Sequence, residues 1–171
     1  FRRIKRKYQF LKYLCEGIYN KITDTIFMKI LVTGAAGFIG FHLSKRLLNE
    51  GTSVIGFDNL NNYYDVNLKK ERLKQLNITA ESIGSEFIFI KGNLQDKIKI
   101  NNTFEKYCPE KIVNLAAQAG VRYSIENPRT YVENNIIGFF NLMDECLKSK
   151  IQKFYYASSS SVYGNQLKVP Y

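Results

Sequence analysis

The chain has 171 residues, 45% of them hydrophobic, and a net charge of +10. That length and composition suit one domain with a sizeable core and exclude a wholly disordered chain. No apolar run approaches the ~20 residues that cross a bilayer, and the basic start lacks the unbroken apolar segment of a signal peptide.

Residues 1–27 hold seven Lys and Arg against two acids, a net +5, half of the total charge. Ile4, Tyr8, Leu11, Leu14, Ile18 and Ile22 recur at three- and four-residue steps, the period of an amphipathic helix. A basic amphipathic helix can make weak contact with an anionic membrane surface. The chain opens on Phe1, and Met28 directly precedes the first strand-like run. Residues 1–27 therefore also read as a plain surface helix or as an extension foreign to the native protein. The remainder is only mildly basic, which argues against nucleic-acid binding. Cys15, Cys108 and Cys146 are odd in number and widely spaced, so they suggest neither a metal site nor a disulfide framework. A reducing, cytoplasmic setting is the expectation.

From residue 28 onward the pattern alternates. Apolar, β-rich runs lie at 29–33, 52–57, 86–91, 111–116 and 153–158. Helical patterns lie between them at 37–50, 65–76, 96–107 and 128–149. Strand-helix-strand repeats predict parallel strands joined by right-handed crossovers. The expected fold is an α/β, Rossmann-type doubly wound parallel sheet with strand order 3-2-1-4-5. The sequence stops just after the fifth strand, so the domain over 28–171 reads as incomplete at its C-terminus.

The first strand runs into Gly34-Ala-Ala-Gly37-Phe-Ile-Gly40 and then a helix. Small residues at this spacing permit a tight turn, close backbone approach to a pyrophosphate and close packing of helix on strand. The helix start aims unpaired N–H groups at the phosphates. The second strand closes at Asp58, eighteen residues after Gly40. A carboxylate there accepts hydrogen bonds from ribose hydroxyls and repels a 2′-phosphate, which favours NAD over NADP. The fourth strand leads into Ala116, Ala117, Ala119 and Gly120, small where a strand tip would face the cofactor. Close packing of the loop would explain the same residues.

TGAAGFIG, FDNLNNYYD, NLAAQAGVRYSIENP, YVENN and ASSSSVYG, in that order, resemble the extended short-chain dehydrogenases/reductases. The uronate-specific segments are most similar to UDP-glucuronate 4-epimerases, NAD-dependent enzymes acting on a nucleotide sugar. The resemblance covers residues 28–171. It implies that Gly34, Gly37, Phe38, Ile39, Gly40, Asp58, Asn59, Asn62, Asn93, Leu94, Ala116, Ala117, Gln118, Ala119 and Asn134 bind or line the cofactor. It makes Ser159 the hydroxyl that holds the reacting sugar hydroxyl. Ser160 and Ser161, with Arg122 a further candidate, are expected to grip the substrate carboxylate. No metal is expected, and a homodimer of the full-length form fits the family. Two positions depart from the family pattern: Asn93, where Asp is usual, and Asn114, where His is common.

The family's base is a Tyr-x-x-x-Lys pair on a helix after the fifth strand, which this sequence does not reach. Tyr8/Lys12 and Tyr107/Lys111 share that spacing. The first lies in the basic segment, and the second straddles Pro109 just before a strand, so neither fits one face of the required helix. The 171-residue chain alone is therefore expected to be inactive. His42, the single histidine, reads as a helix-surface or packing residue, and Tyr163, with Leu167 rather than a lysine four residues on, as a structural ring. The alternatives are a UDP-glucose 4-epimerase, a nucleotide-sugar 4,6-dehydratase, or a non-catalytic NAD-binding module.

Overall fold

The computed structural model describes residues 28–165. The expectations for residues 1–27 and for Tyr8/Lys12 lie outside that range. Five parallel strands are β1 (Lys29–Thr33), β2 (Ser53–Asp58), β3 (Phe87–Lys91), β4 (Lys111–Asn114) and β5 (Lys153–Tyr156). Their order is β3-β2-β1-β4-β5, the order expected from the sequence. Three long helices separate the first four strands: α1 (Phe38–Asn49), α2 (Val66–Ile83) and α3 (Lys97–Tyr107). Between β4 and β5 come two short helices, α4 (Val121–Glu126) and α5 (Pro128–Tyr131), a π-helical segment Val132–Gly138, and α6 (Phe139–Lys148).

Both faces of the sheet are covered, so the central strands are apolar throughout rather than alternating. The pleat still sorts the side chains. Ile30, Val32 and Val54 point to one face and pack with Leu48 of α1 and Leu73 and Leu76 of α2. Leu31, Ile55 and Ile112 point to the other and pack with Ile100 and Phe104 of α3 and Leu142 of α6. The fifth strand is poorly covered among the described residues: Tyr155 and Tyr156 are 54% and 58% exposed. No helix among the described residues is long and apolar enough to cross a membrane.

Two helices differ from the pattern read off the sequence. The second continues to Ile83 rather than stopping near 76, because Thr79 and Ala80 carry its buried face onward to a left-handed cap at Gly84. The single helix expected over 128–149 is broken by a π-helical stretch. Asn134 Nδ2 donates to the Thr130 carbonyl at 2.7 Å, occupying the acceptor that its own backbone N–H would use in an α-helix. Tyr107 ends α3 and Lys111 starts β4, with Cys108 left-handed between them, so that pair shares no helix face.

Candidate functional site

The site is built at the carboxyl end of β1. Gly34 turns with φ +68, and a Cβ there would lie 2.9 Å from the Ala116 nitrogen, so the loop after β4 presses directly on the turn. Gly37 caps α1, and no side chain caps the first helical turn. That leaves N–H groups of the turn available to an anion, which fits a pyrophosphate. Gly40 is buried; its missing Cβ would stand 2.1 Å from the Gly34 oxygen. The glycines thus let helix and turn touch, the packing their spacing implies.

Asp58 closes β2 and is 9% exposed. One carboxylate oxygen accepts from Ala36 N at 3.1 Å and the other from Leu60 N at 2.8 Å. The acid therefore ties the glycine turn to the β2 loop while facing a crevice of ≈ 220 Å³. Gly34, Gly37, Asp58, Asn59, Asn93 and Leu94 line that crevice. From the opposite side it is lined by Ala116, Ala117, Gln118, Ala119 and Asn134. Eleven of the fifteen cofactor residues expected from the sequence meet in one place. Phe38, Ile39 and Gly40 belong to the start of α1 instead, with the Phe38 and Ile39 side chains 68% and 63% exposed. Asn62 is exposed outside the lining, and its neighbour Asn61 lines the crevice in its place.

A second crevice of ≈ 700 Å³ adjoins the first and shares the Leu115–Ala119 wall. Tyr156, Ser158, Ser159 and Ser161 line its other side at the end of β5. Ser159 Oγ accepts from Ser161 N at 3.2 Å and caps a 3-10 turn, Ser160–Tyr163. Its hydroxyl proton is then available to a ligand oxygen. Arg122 is exposed on α4 and lies outside the lining of both crevices. His42 is exposed on α1 against the rings of Phe38 and Phe41, as its position in the helix suggests. Tyr163 is 55% exposed in the 3-10 turn.

The sequence reading missed several residues. Lys69 of α2 lines the first crevice and is only 4% exposed. Its ammonium donates to the Asn61 carbonyl and to Asn61 Oδ1, both at 2.7 Å. Burial lowers its pKa, Asp58 works against that shift, and Arg72 adds to it. Arg72, four positions short of Leu76 on the same helix, donates to the Ala36 carbonyl at 3.0 Å and so reaches the glycine turn. Asn135 pairs twice with the Gln118 backbone: Gln118 N donates to Oδ1 at 2.8 Å, and Nδ2 donates to the Gln118 carbonyl at 3.0 Å. Asn114 accepts from the Thr33 hydroxyl at 2.5 Å, joining the ends of β1 and β4. These partners lie between 8 and 81 residues apart in sequence, and although Asn114 stood out as a departure from the family pattern, no local pattern announced its partner.

A glycine turn opening the first helix, an acid closing the neighbouring strand and a crevice at the sheet's switch point define a dinucleotide-binding Rossmann domain. The family described as GDP-mannose 4,6 dehydratase matches residues 31–171, and the chain belongs to it. Protein CapI of Staphylococcus aureus is 52% identical over 145 residues, covering 84% of this chain and 41% of the relative. A probable UDP-glucuronate 4-epimerase of Rhizobium meliloti (strain 1021) is 44% identical over 144 residues, with the same coverages of 84% and 41%. A solved UDP-glucose-4-epimerase from Stenotrophomonas maltophila, with bound NAD and formylated UDP-arabinopyranose, superposes with a TM-score of 0.72 at 26% identity. It covers 84% of this chain and 40% of the solved one. The chain thus spans about two fifths of the length of the proteins it matches.

Proposed function

We propose that this chain is the N-terminal, NAD-binding part of a nucleotide-sugar 4-epimerase that interconverts UDP-glucuronate and UDP-galacturonate. The observation that carries the reading is the shared Leu115–Ala119 wall, which sets the dinucleotide crevice beside the serine-lined one. The N–H groups at the start of α1 hold the pyrophosphate, Asp58 holds the adenosine ribose, and Asn93 and Leu94 border the adenine. The small Ala116, Ala117 and Ala119 leave room for the cofactor to reach the second crevice. NAD is the cofactor, and when bound it supplies a hydride acceptor and donor at the sugar's C4.

The chain's own residues position that chemistry. Ser159 donates its hydroxyl proton to the C4 oxygen and holds the sugar in line. Ser161, with Ser160, whose side chain lies outside what the structure describes, holds the substrate carboxylate so that the keto sugar does not lose carbon dioxide. Arg122, outside the lining of both crevices, is a further candidate for that role. The proton acceptor, a tyrosine with a lysine beside it, belongs in the part of the relatives' length that this chain does not span. The sugar assignment follows the uronate relatives, 44% identical in the case of the Rhizobium enzyme. Assaying the intact protein against UDP-glucuronate and UDP-glucose tests it. Conversion of UDP-glucuronate with no net consumption of NAD is expected, and activity confined to UDP-glucose would overturn the uronate assignment. The 171-residue chain by itself is expected to turn over neither.

A further inference from the structure

Three tyrosines from separate segments meet beside the first crevice, which Tyr63 lines. Tyr63 lies in the loop after β2, Tyr123 on α4 and Tyr131 on α5. The rings of Tyr63 and Tyr123 are 5.3 Å apart, and those of Tyr123 and Tyr131 are 6.3 Å apart. Strands β2 and β4 flank β1, so the Tyr63–Tyr123 contact joins the segment after β2 to the segment after β4, and Tyr63 shares the lining of one crevice with Gly34.

Both posts of this bridge are fixed. On the β4 side, the Tyr131 hydroxyl donates to the carbonyls of Ala119, at 2.9 Å, and of Gly120. On the β2 side, Lys69 holds Asn61 by two hydrogen bonds, and the Tyr64 hydroxyl reaches the Ala36 carbonyl at 3.4 Å. Gly120 makes the crossing possible: a Cβ there would stand 2.5 Å from the Tyr63 hydroxyl oxygen. Tyr63 also lines the cofactor crevice, whereas Tyr123 does not. The ≈ 220 Å³ crevice beside the bridge is smaller than the ~300–1,000 Å³ usual for small-molecule sites.

We propose that Tyr63, Tyr123 and Tyr131 form an aromatic strap that must part for the dinucleotide to enter or leave. The strap keeps the cofactor in place during the interval in which it is reduced, when its escape would strand a half-finished sugar. The proposal rests on the dinucleotide reading of the crevice and adds to it the device that retains the ligand.

The test uses the intact protein loaded with NADH, diluted into excess NAD, with release followed by nicotinamide fluorescence. Tyr63→Ala and Tyr123→Ala are each expected to speed release about two- to tenfold, the worth of one aromatic pair. The double variant should release no faster than the faster single one. Tyr63→Phe, which keeps the ring, should stay within about twofold of the unaltered protein. Tyr63 is 49% exposed, so its truncation leaves the core intact, and unfolding curves verify this. The Tyr123→Ala variant is decisive, because that side chain does not line the crevice. Release from it at the unaltered rate would overturn the strap while leaving the cofactor site standing. An unaltered protein that retains no dinucleotide would overturn both.

Discussion

Gly40→Ala probes the contact between the first helix and the glycine turn. The new Cβ would stand 2.1 Å from the Gly34 oxygen, 2.7 Å from the Gly34 carbonyl carbon and 3.0 Å from the Ala35 Cα. Contacts under 3.0 Å are essentially never made by real Cβ atoms, so helix and turn must separate by at least 0.9 Å, the difference between 3.0 and 2.1. The obstacle is backbone on every side, with no flexible side chain to swing away. Overpacking of this kind costs about 1–3 kcal/mol, and an unyielding backbone puts Gly40 near the upper end. Alanine's better helix propensity returns about 1 kcal/mol at most. A net loss of about 2 kcal/mol lowers Tm by about 4–8 °C in a domain of this size. The same displacement pulls the helix N–H groups off the pyrophosphate position. Gly37→Ala is the comparison for stability alone: its Cβ would meet the Gly34 oxygen at 3.0 Å rather than 2.1 Å and should cost less, but Gly37 also lines the crevice, so its NAD response is no control. Thermal unfolding with and without NAD reads both effects. The reasoning is refuted if Gly40→Ala melts at or above the unaltered protein and NAD still raises its Tm equally.

Other substitutions follow from the same structure. Asp58→Ala removes two charge-assisted hydrogen bonds, from Ala36 N and Leu60 N. It should destabilise the domain by about 3 kcal/mol, weaken NAD binding at least about tenfold and narrow the preference over NADP, as measured by denaturant titration and calorimetry. Ser44 is fully buried on α1 and its hydroxyl has no hydrogen-bond partner among the described residues. Ser44→Ala should therefore raise stability by about 1 kcal/mol, visible as a higher denaturant midpoint. Burial, reinforced by Glu145, pushes the Cys146 thiol up to about 12 from its ordinary 9.0, while Cys108 is exposed. A thiol reagent at pH 8 should modify Cys108 in the folded protein and reach Cys146 only on unfolding. The raised pKa also contributes stability that is whole below pH 9.0 and is lost as pH rises toward about 12, and a Cys146→Ala variant should lack that component of the alkaline decline.

The fold was largely legible because its signals are local or periodic. Strand-length apolar runs separated by helical patterns dictate parallel pairing, and the glycine spacing marks the turn at Gly34. Asp58 was legible because the acid's position follows from the length of one strand-helix-strand unit. What stayed hidden was long-range. Lys69 looks like an ordinary lysine in the first turn of a helix, and only the approach of Asn61 makes it a buried wall of the crevice. The π-helical Val132–Gly138 reads as plain helix because nothing in the pattern shows that Asn134 turns its side-chain amide onto the Thr130 carbonyl while its Oδ1 accepts from Gln95 Nε2. The end of α2 could have been found, since Gly84 supplies the left-handed cap that the buried Thr79 and Ala80 lead to. Arg72, fourteen residues after Asp58 and thirty-six after Ala36, folds back to the Ala36 carbonyl, a proximity no linear pattern shows.

The most direct measurement is calorimetric titration of the intact protein with NAD and, separately, with NADP. One dinucleotide per chain, with NAD clearly preferred and that preference reduced by Asp58→Ala, is the predicted result. A protein free of prior cofactor that takes up neither nucleotide would contradict the account at its root.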